Sequence, residues 1–132
     1  SLSTFGGNPL ATRGALEVLR YVKRHDLQAN AKSRGAELRE GLERIAQRNP
    51  LIGEVRGKGL MQAIEFADRV TRKPDMKSSL ALMEETRARC LLVGRGGLYG
   101  NINRIAPPLT ITRDEVAEGL EILDHSLGAL TA

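Results

Sequence analysis

Apolar side chains recur at helical spacing along residues 27–45, where Leu27, Ala31, Leu38, Leu42 and Ile45 share one face of a 3.6-residue repeat. That spacing predicts a helix opened by Asp26 and closed at Asn49-Pro50, because the residue before a proline is pushed out of helical geometry. An earlier helix is expected from Asn8-Pro9 to about His25. Asparagine caps free N–H groups there, and proline loses nothing at a first helical position. The pattern then shortens to alternation. Leu51–Arg56 and Leu60–Phe66 read as strands joined at Gly57-Lys58-Gly59, with Met61, Ala63 and Glu65 alternating against Leu60, Gln62, Ile64 and Phe66. A charged loop, Ala67–Pro74, leads to a helix from about Met76 to Cys90 and a short apolar strand, Leu91–Val93. The glycine-rich stretch Gly94–Gly100 precedes a strand at Ile102–Ala106, closed by Pro107-Pro108. Thr112 and Glu115 form a capping box for a last helix, whose stripe of Val116, Leu120, Leu123, Leu127 and Leu130 reads as core packing. Helices followed by strands mixed with helices imply an α+β domain: a small, mostly antiparallel sheet of about four short strands covered by helices.

The length of 132 residues fits a single domain spanning the whole chain. Aromatic residues make up only 3%, so the core is expected to be aliphatic. One cysteine, Cys90, excludes an internal disulfide framework and fits a reducing, cytoplasmic setting; its apolar neighbours read as core. His25 and His125 lie far apart, read as helix-surface residues, and offer no zinc spacing. No apolar run approaches the ~20 residues of a membrane span. The formal charge of +4 invites a nucleic-acid reading. Against it, acids and bases interleave along the helices, as in Arg34, Glu37, Arg39, Glu40, Glu43 and Arg44, which marks a solvated face. The local excess of Arg69, Arg72, Lys73 and Lys77 has no aromatic side chain for base stacking.

Three segments carry candidate chemistry. Ser3-Thr4-Phe5-Gly6-Gly7-Asn8-Pro9 places two hydroxyls and two glycines before a helix N-terminus, a place suited to an anion or simply a capped leader. Asn103-Arg104-Ile105-Ala106-Pro107-Pro108-Leu109 puts a charged fork in a short strand, able to grip a carboxylate or merely to face water. Gly94-Arg95-Gly96-Gly97-Leu98-Tyr99-Gly100 fails as a dinucleotide fingerprint. Tyr99 takes the place of the last glycine, and a strand follows instead of a helix.

Taken in order, Ser3–Ala11, then Val55-Arg56-Gly57-Lys58-Gly59-Leu60-Met61 with Ala63-Ile64-Glu65, then Arg104-Ile105-Ala106-Pro107-Pro108-Leu109 resemble the C-terminal small domain of class III aminotransferases. That family uses pyridoxal 5′-phosphate and includes 4-aminobutyrate, ornithine, acetylornithine and alanine–glyoxylate transaminases. The resemblance implies that Thr4 contacts the cofactor phosphate in a neighbouring subunit's site, that Ser3 beside it approaches substrate, and that Arg104 binds the substrate carboxylate. It implies a homodimer acting on amino-acid and 2-oxo-acid substrates, with no nucleic-acid or membrane partner. None of Lys23, Lys32, Lys58, Lys73 or Lys77 matches the family's Schiff-base lysine, so the chain is expected to be a C-terminal piece, inactive by itself. The rivals are a non-catalytic dimerisation or interaction module and a basic nucleic-acid-binding domain.

Overall fold

The computed structural model describes residue 4 and residues 6–131. Asn8 opens helix α1 (Pro9–Arg24) by accepting hydrogen bonds from the Leu10 and Ala11 N–H groups. After it come α2 (Leu27–Arg48), the strands β1 (Ile52–Lys58) and β2 (Met61–Phe66), α3 (Met76–Ala88), β3 (Gly94–Gly96), β4 (Ile102–Ile105) and α4 (Arg113–Ala129). The four strands form one antiparallel sheet in the order β1-β2-β4-β3. This is the α+β architecture expected from the alternating and helical patterns.

Period two along β2 sorts its side chains cleanly: Gln62, Ile64 and Phe66 are buried, while Met61 is exposed and Ala63 and Glu65 are partly so. Helices α2 and α3 lie against the buried face, and α4 packs on both helices. Their shared core joins Leu38, Leu42 and Ile45 of α2, Ile52, Ile64, Phe66 and Ile105 of the sheet, Leu82 of α3, and Val116, Leu123 and Leu127 of α4. Apart from Phe66 the core is aliphatic, as the scarcity of aromatics required. Among the described residues the helices cover one face of the sheet only, whereas α1 packs on α2 alone and buries none of its residues.

Four local expectations change. The hairpin turn lies at Gly59-Leu60, because Lys58 still pairs with Met61; Gly59 supplies the left-handed φ of +56°. Asp26 does precede α2, but its own backbone is left-handed (φ 46°) and its side chain makes no capping bond. The third strand is Gly94–Gly96, not the apolar Leu91–Val93, because pairing with β4 selects the segment opposite Asn103 and Arg104. Cys90 is exposed just past the end of α3, at φ 63°, so its apolar neighbours misled. The capping box of Thr112 and Glu115 forms as expected. Among the described residues no helix is long and apolar enough to cross a membrane.

Candidate active-site face

Directly paired residues of an antiparallel sheet point to the same side, so the register identifies what the uncovered face presents. It carries Glu54, Arg56 and Lys58 from β1, Met61, Ala63 and Glu65 from β2, and Arg104 between Ile102 and the residue after β4, Ala106. Gly94 and Gly96 complete it from β3. Two arginines therefore stand on this face. Arg56, Ala63 and Arg104 occupy one straight cross-strand row.

The two arginines differ in their partners. Arg56 donates to Glu65, and to Glu54 at 3.0 Å. Glu54 and Glu65 are directly paired across the strands, an arrangement whose repulsion needs a cation between them. The hydrogen bond from Arg56 holds the Glu65 carboxyl below its ordinary range against the opposing effect of burial, and Glu65 in turn raises Arg56. Buried Asn101 completes this corner, donating to the Phe66 carbonyl at 2.9 Å and to Glu65 at 3.4 Å. Arg104, in contrast, has no ion-pair partner among the described residues. Arg104 borders a pocket of about 300 Å³ shared with Met61, Leu92, Gly94 and Ala106. Met61 and Leu92 are 72% and 83% exposed, giving the charged fork apolar flanks. A fork with five N–H donors can take an external carboxylate through two parallel hydrogen bonds, which the exposed Lys58 ammonium on the same face cannot match.

Thr4 lies elsewhere. It is exposed just before α1, whose contacts to other elements are confined to α2, so the chain does not gather Thr4 and Arg104 into one site. The helix N-terminus beside it is already capped by Asn8. Ser3 lies outside the described residues. All five lysines are exposed, with no desolvated amine of the kind that favours covalent chemistry with a carbonyl. Among the described residues no group of acids, histidines or cysteines is placed to hold a metal ion.

The basic loop excess has a structural use. Arg69 donates to the Ala46, Asn49 and Ile52 carbonyls, tying the end of α2 to the start of β1, and Arg72 faces Glu54 at 3.6 Å. Neither role was legible from composition. The Arg56–Glu65 pair could have been found once the hairpin register was known, since diagonal neighbours lie within reach of long side chains.

The family profile for aminotransferase class III matches residues 2–127. The chain belongs to the class III aminotransferases. It is 41% identical over 123 residues to the 4-aminobutyrate aminotransferase GabT of Escherichia coli (strain K12), covering 92% of this chain and 29% of that enzyme. A phospholyase from Arthrobacter, solved with phosphoethanolamine, superposes with a TM-score of 0.89 at 36% identity, over 98% of this chain and 31% of the other. An amine transaminase from an uncultivated Pseudomonas species, solved with pyridoxal phosphate, gives a TM-score of 0.87 at 36% identity, over 98% and 29%. This class III chain therefore spans about a third of the length of the relatives it matches.

Proposed function

We propose that the full-length protein is a pyridoxal-phosphate-dependent aminotransferase, moving an amino group from an amino acid or ω-amino acid to a 2-oxo acid. Arg104 binds the carboxylate of those substrates. The observation that carries this reading is the contrast on the open sheet face: Arg56 is occupied by Glu65 and Glu54, while Arg104 borders a pocket without an acid partner. Its planar fork orients a carboxylate through two parallel hydrogen bonds, and the flanks of Met61 and Leu92 lower the local polarity and strengthen that grip.

The cofactor, when bound, supplies the electron sink for the transfer. This chain's residues fit it only at its edge. The exposed Thr4 hydroxyl donates to a phosphate oxygen, in the site of a neighbouring subunit of a homodimer, and Ser3 stands next to it toward substrate. The separation of Thr4 from Arg104 supports a chain that serves two sites of one dimer. The covalent lysine is contributed from outside these residues, so the isolated chain is inactive. The lone cysteine supports a reducing, cytoplasmic setting.

Arg104→Ala in the full-length holoenzyme tests the reading. A charge-assisted pair contributes about 1.5–3 kcal/mol, so KM for the amino acid should rise about 10- to 100-fold while the cofactor's absorbance stays unchanged. Unchanged KM removes Arg104 from the site. Release of phosphate from phosphoethanolamine without amino transfer would overturn the proposed reaction.

A further inference from the structure

Two glycines face Arg104 from the edge strand. Gly94 is its direct partner in β3, and Gly96 is the next residue on the same face. Neither has the left-handed φ that makes glycine a backbone necessity. A glycine in a strand weakens it and commonly marks a place where something approaches the backbone closely. Here that something is the Arg104 side chain. A Cβ at Gly96 would lie 3.4 Å from Arg104 Nε, 3.6 Å from Cδ and 3.9 Å from Cγ; one at Gly94 would lie 3.7 Å from both Nε and Nη2. The arginine therefore lies down across β3, with its stem over Gly96 and one arm of its fork over Gly94, instead of standing away from the sheet.

We propose that Gly94 and Gly96 are positioning residues: the bare backbone of β3 is the floor that lays Arg104 flat and fixes where its guanidinium meets a substrate carboxylate. The inference rests on the assignment of Arg104 to carboxylate binding. A methyl group fits at ordinary contact distance, but any side chain with atoms beyond Cβ occupies the volume of the guanidinium and lifts it. β-branched residues suit a strand, so the substitution that displaces the arginine should not unravel the sheet.

The test uses the full-length holoenzyme with Gly96→Val, Gly96→Ala and Arg104→Ala. Each is assayed in half-reactions with an amino acid and with a primary amine of the same skeleton lacking the carboxylate, and by inhibition with an unreactive carboxylate. Gly96→Val should raise KM for the amino acid and the inhibition constant about tenfold, with kcat and the amine's KM unchanged; Gly96→Ala should stay within about twofold of the parent. If Arg104→Ala raises KM but Gly96→Val does not, the floor is overturned and Arg104 stands. Equal losses with amine and amino acid show a structural glycine and also overturn it. If Arg104→Ala changes nothing, the underlying assignment falls and the floor with it. Gly94→Val repeats the comparison should Gly96→Val fail to fold, and failure of both marks the glycines as structural, against the proposal.

Discussion

Replacing Gly35 by alanine inverts a familiar rule. In the middle of a helix such as α2 the exchange ordinarily gains about 1 kcal/mol, since alanine has the higher helix propensity. At Gly35 a Cβ would stand 2.6 Å from Gly59 Cα and closer still to the Gly59 carbonyl, where ordinary contacts begin near 3.4 Å. The obstacle is backbone, held in the left-handed turn of the β1–β2 hairpin, and no rotamer change removes it. The helix and hairpin must part by about 1 Å, and overpacking of this kind costs about 3 kcal/mol at the upper end of its usual range. The net loss is about 2 kcal/mol. Two controls isolate the cause. A Cβ at Gly119 in α4 would meet no atom of the described residues within 4 Å beyond its own stretch of helix, so Gly119→Ala should gain about 0.5–1 kcal/mol. At Gly41 the Cβ would meet both Leu120 methyls, one at 2.6 Å and the other closer, with Cγ at 3.0 Å; this is a side chain that can change rotamer where backbone cannot, so Gly41→Ala should fall between the two. Urea unfolding followed by circular dichroism, extrapolated to water, gives all three differences. A Gly35→Ala protein as stable as its parent, or gaining as much as Gly119→Ala, refutes the close approach.

Thr112→Ala removes the hydroxyl half of the α4 capping box, which accepts from the Glu115 N–H, and leaves the Glu115 carboxylate on the backbone N–H of residue 112. It should cost about 1 kcal/mol by the same unfolding measurement, and a change below a few tenths would show that half to be idle. The carboxyls of Glu65, Asp75, Asp68 and Glu115 are all held below their ordinary range. For Glu65 the main cause is Arg56; for Asp75 burial opposes the shift and the hydrogen bonds of Ser78 outweigh it. Groups depressed in the folded state contribute stability above their unfolded values and lose it as pH falls through the folded ones. The melting temperature should therefore hold from neutral pH down to about pH 5 and then drop through about pH 4 and below; a melting temperature that rises on acidification contradicts the sign.

What the chain disclosed in advance was local. Asn8-Pro9 and Thr112 with Glu115 mark helix starts through bonds that span two or three residues, and the alternation from Met61 to Phe66 marks its own buried side. What it withheld depends on distant partners. The apolar Leu91–Val93 has better strand propensity than Gly94–Gly96, yet register against β4 awards the strand to the glycines. Arg69 looked like surface charge because its three carbonyl partners lie 17 to 23 positions away. Arg104 could be singled out by residue type and resemblance, but that it differs from Arg56 in having no acid beside it emerges only when β1, β2 and β4 lie side by side.

That difference bears on selectivity between two equivalent hands. Arg56 and Arg104 stand in one cross-strand row with Ala63 between them, about 10 Å apart at two strand spacings. Were Arg56 unoccupied, a small carboxylate would face two forks of equal strength, and half of its encounters would dock one berth away from the chemistry. Glu65 and Glu54 close the wrong berth. Opening it by removing both acids, Glu54→Gln with Glu65→Gln, would give non-productive binding, whose kinetic mark is a kcat and a KM that fall together while kcat/KM stays constant. On the proposed assignment of Arg104, the acids on this face thus serve a substrate they never touch, by removing Arg56 as a second arginine fork.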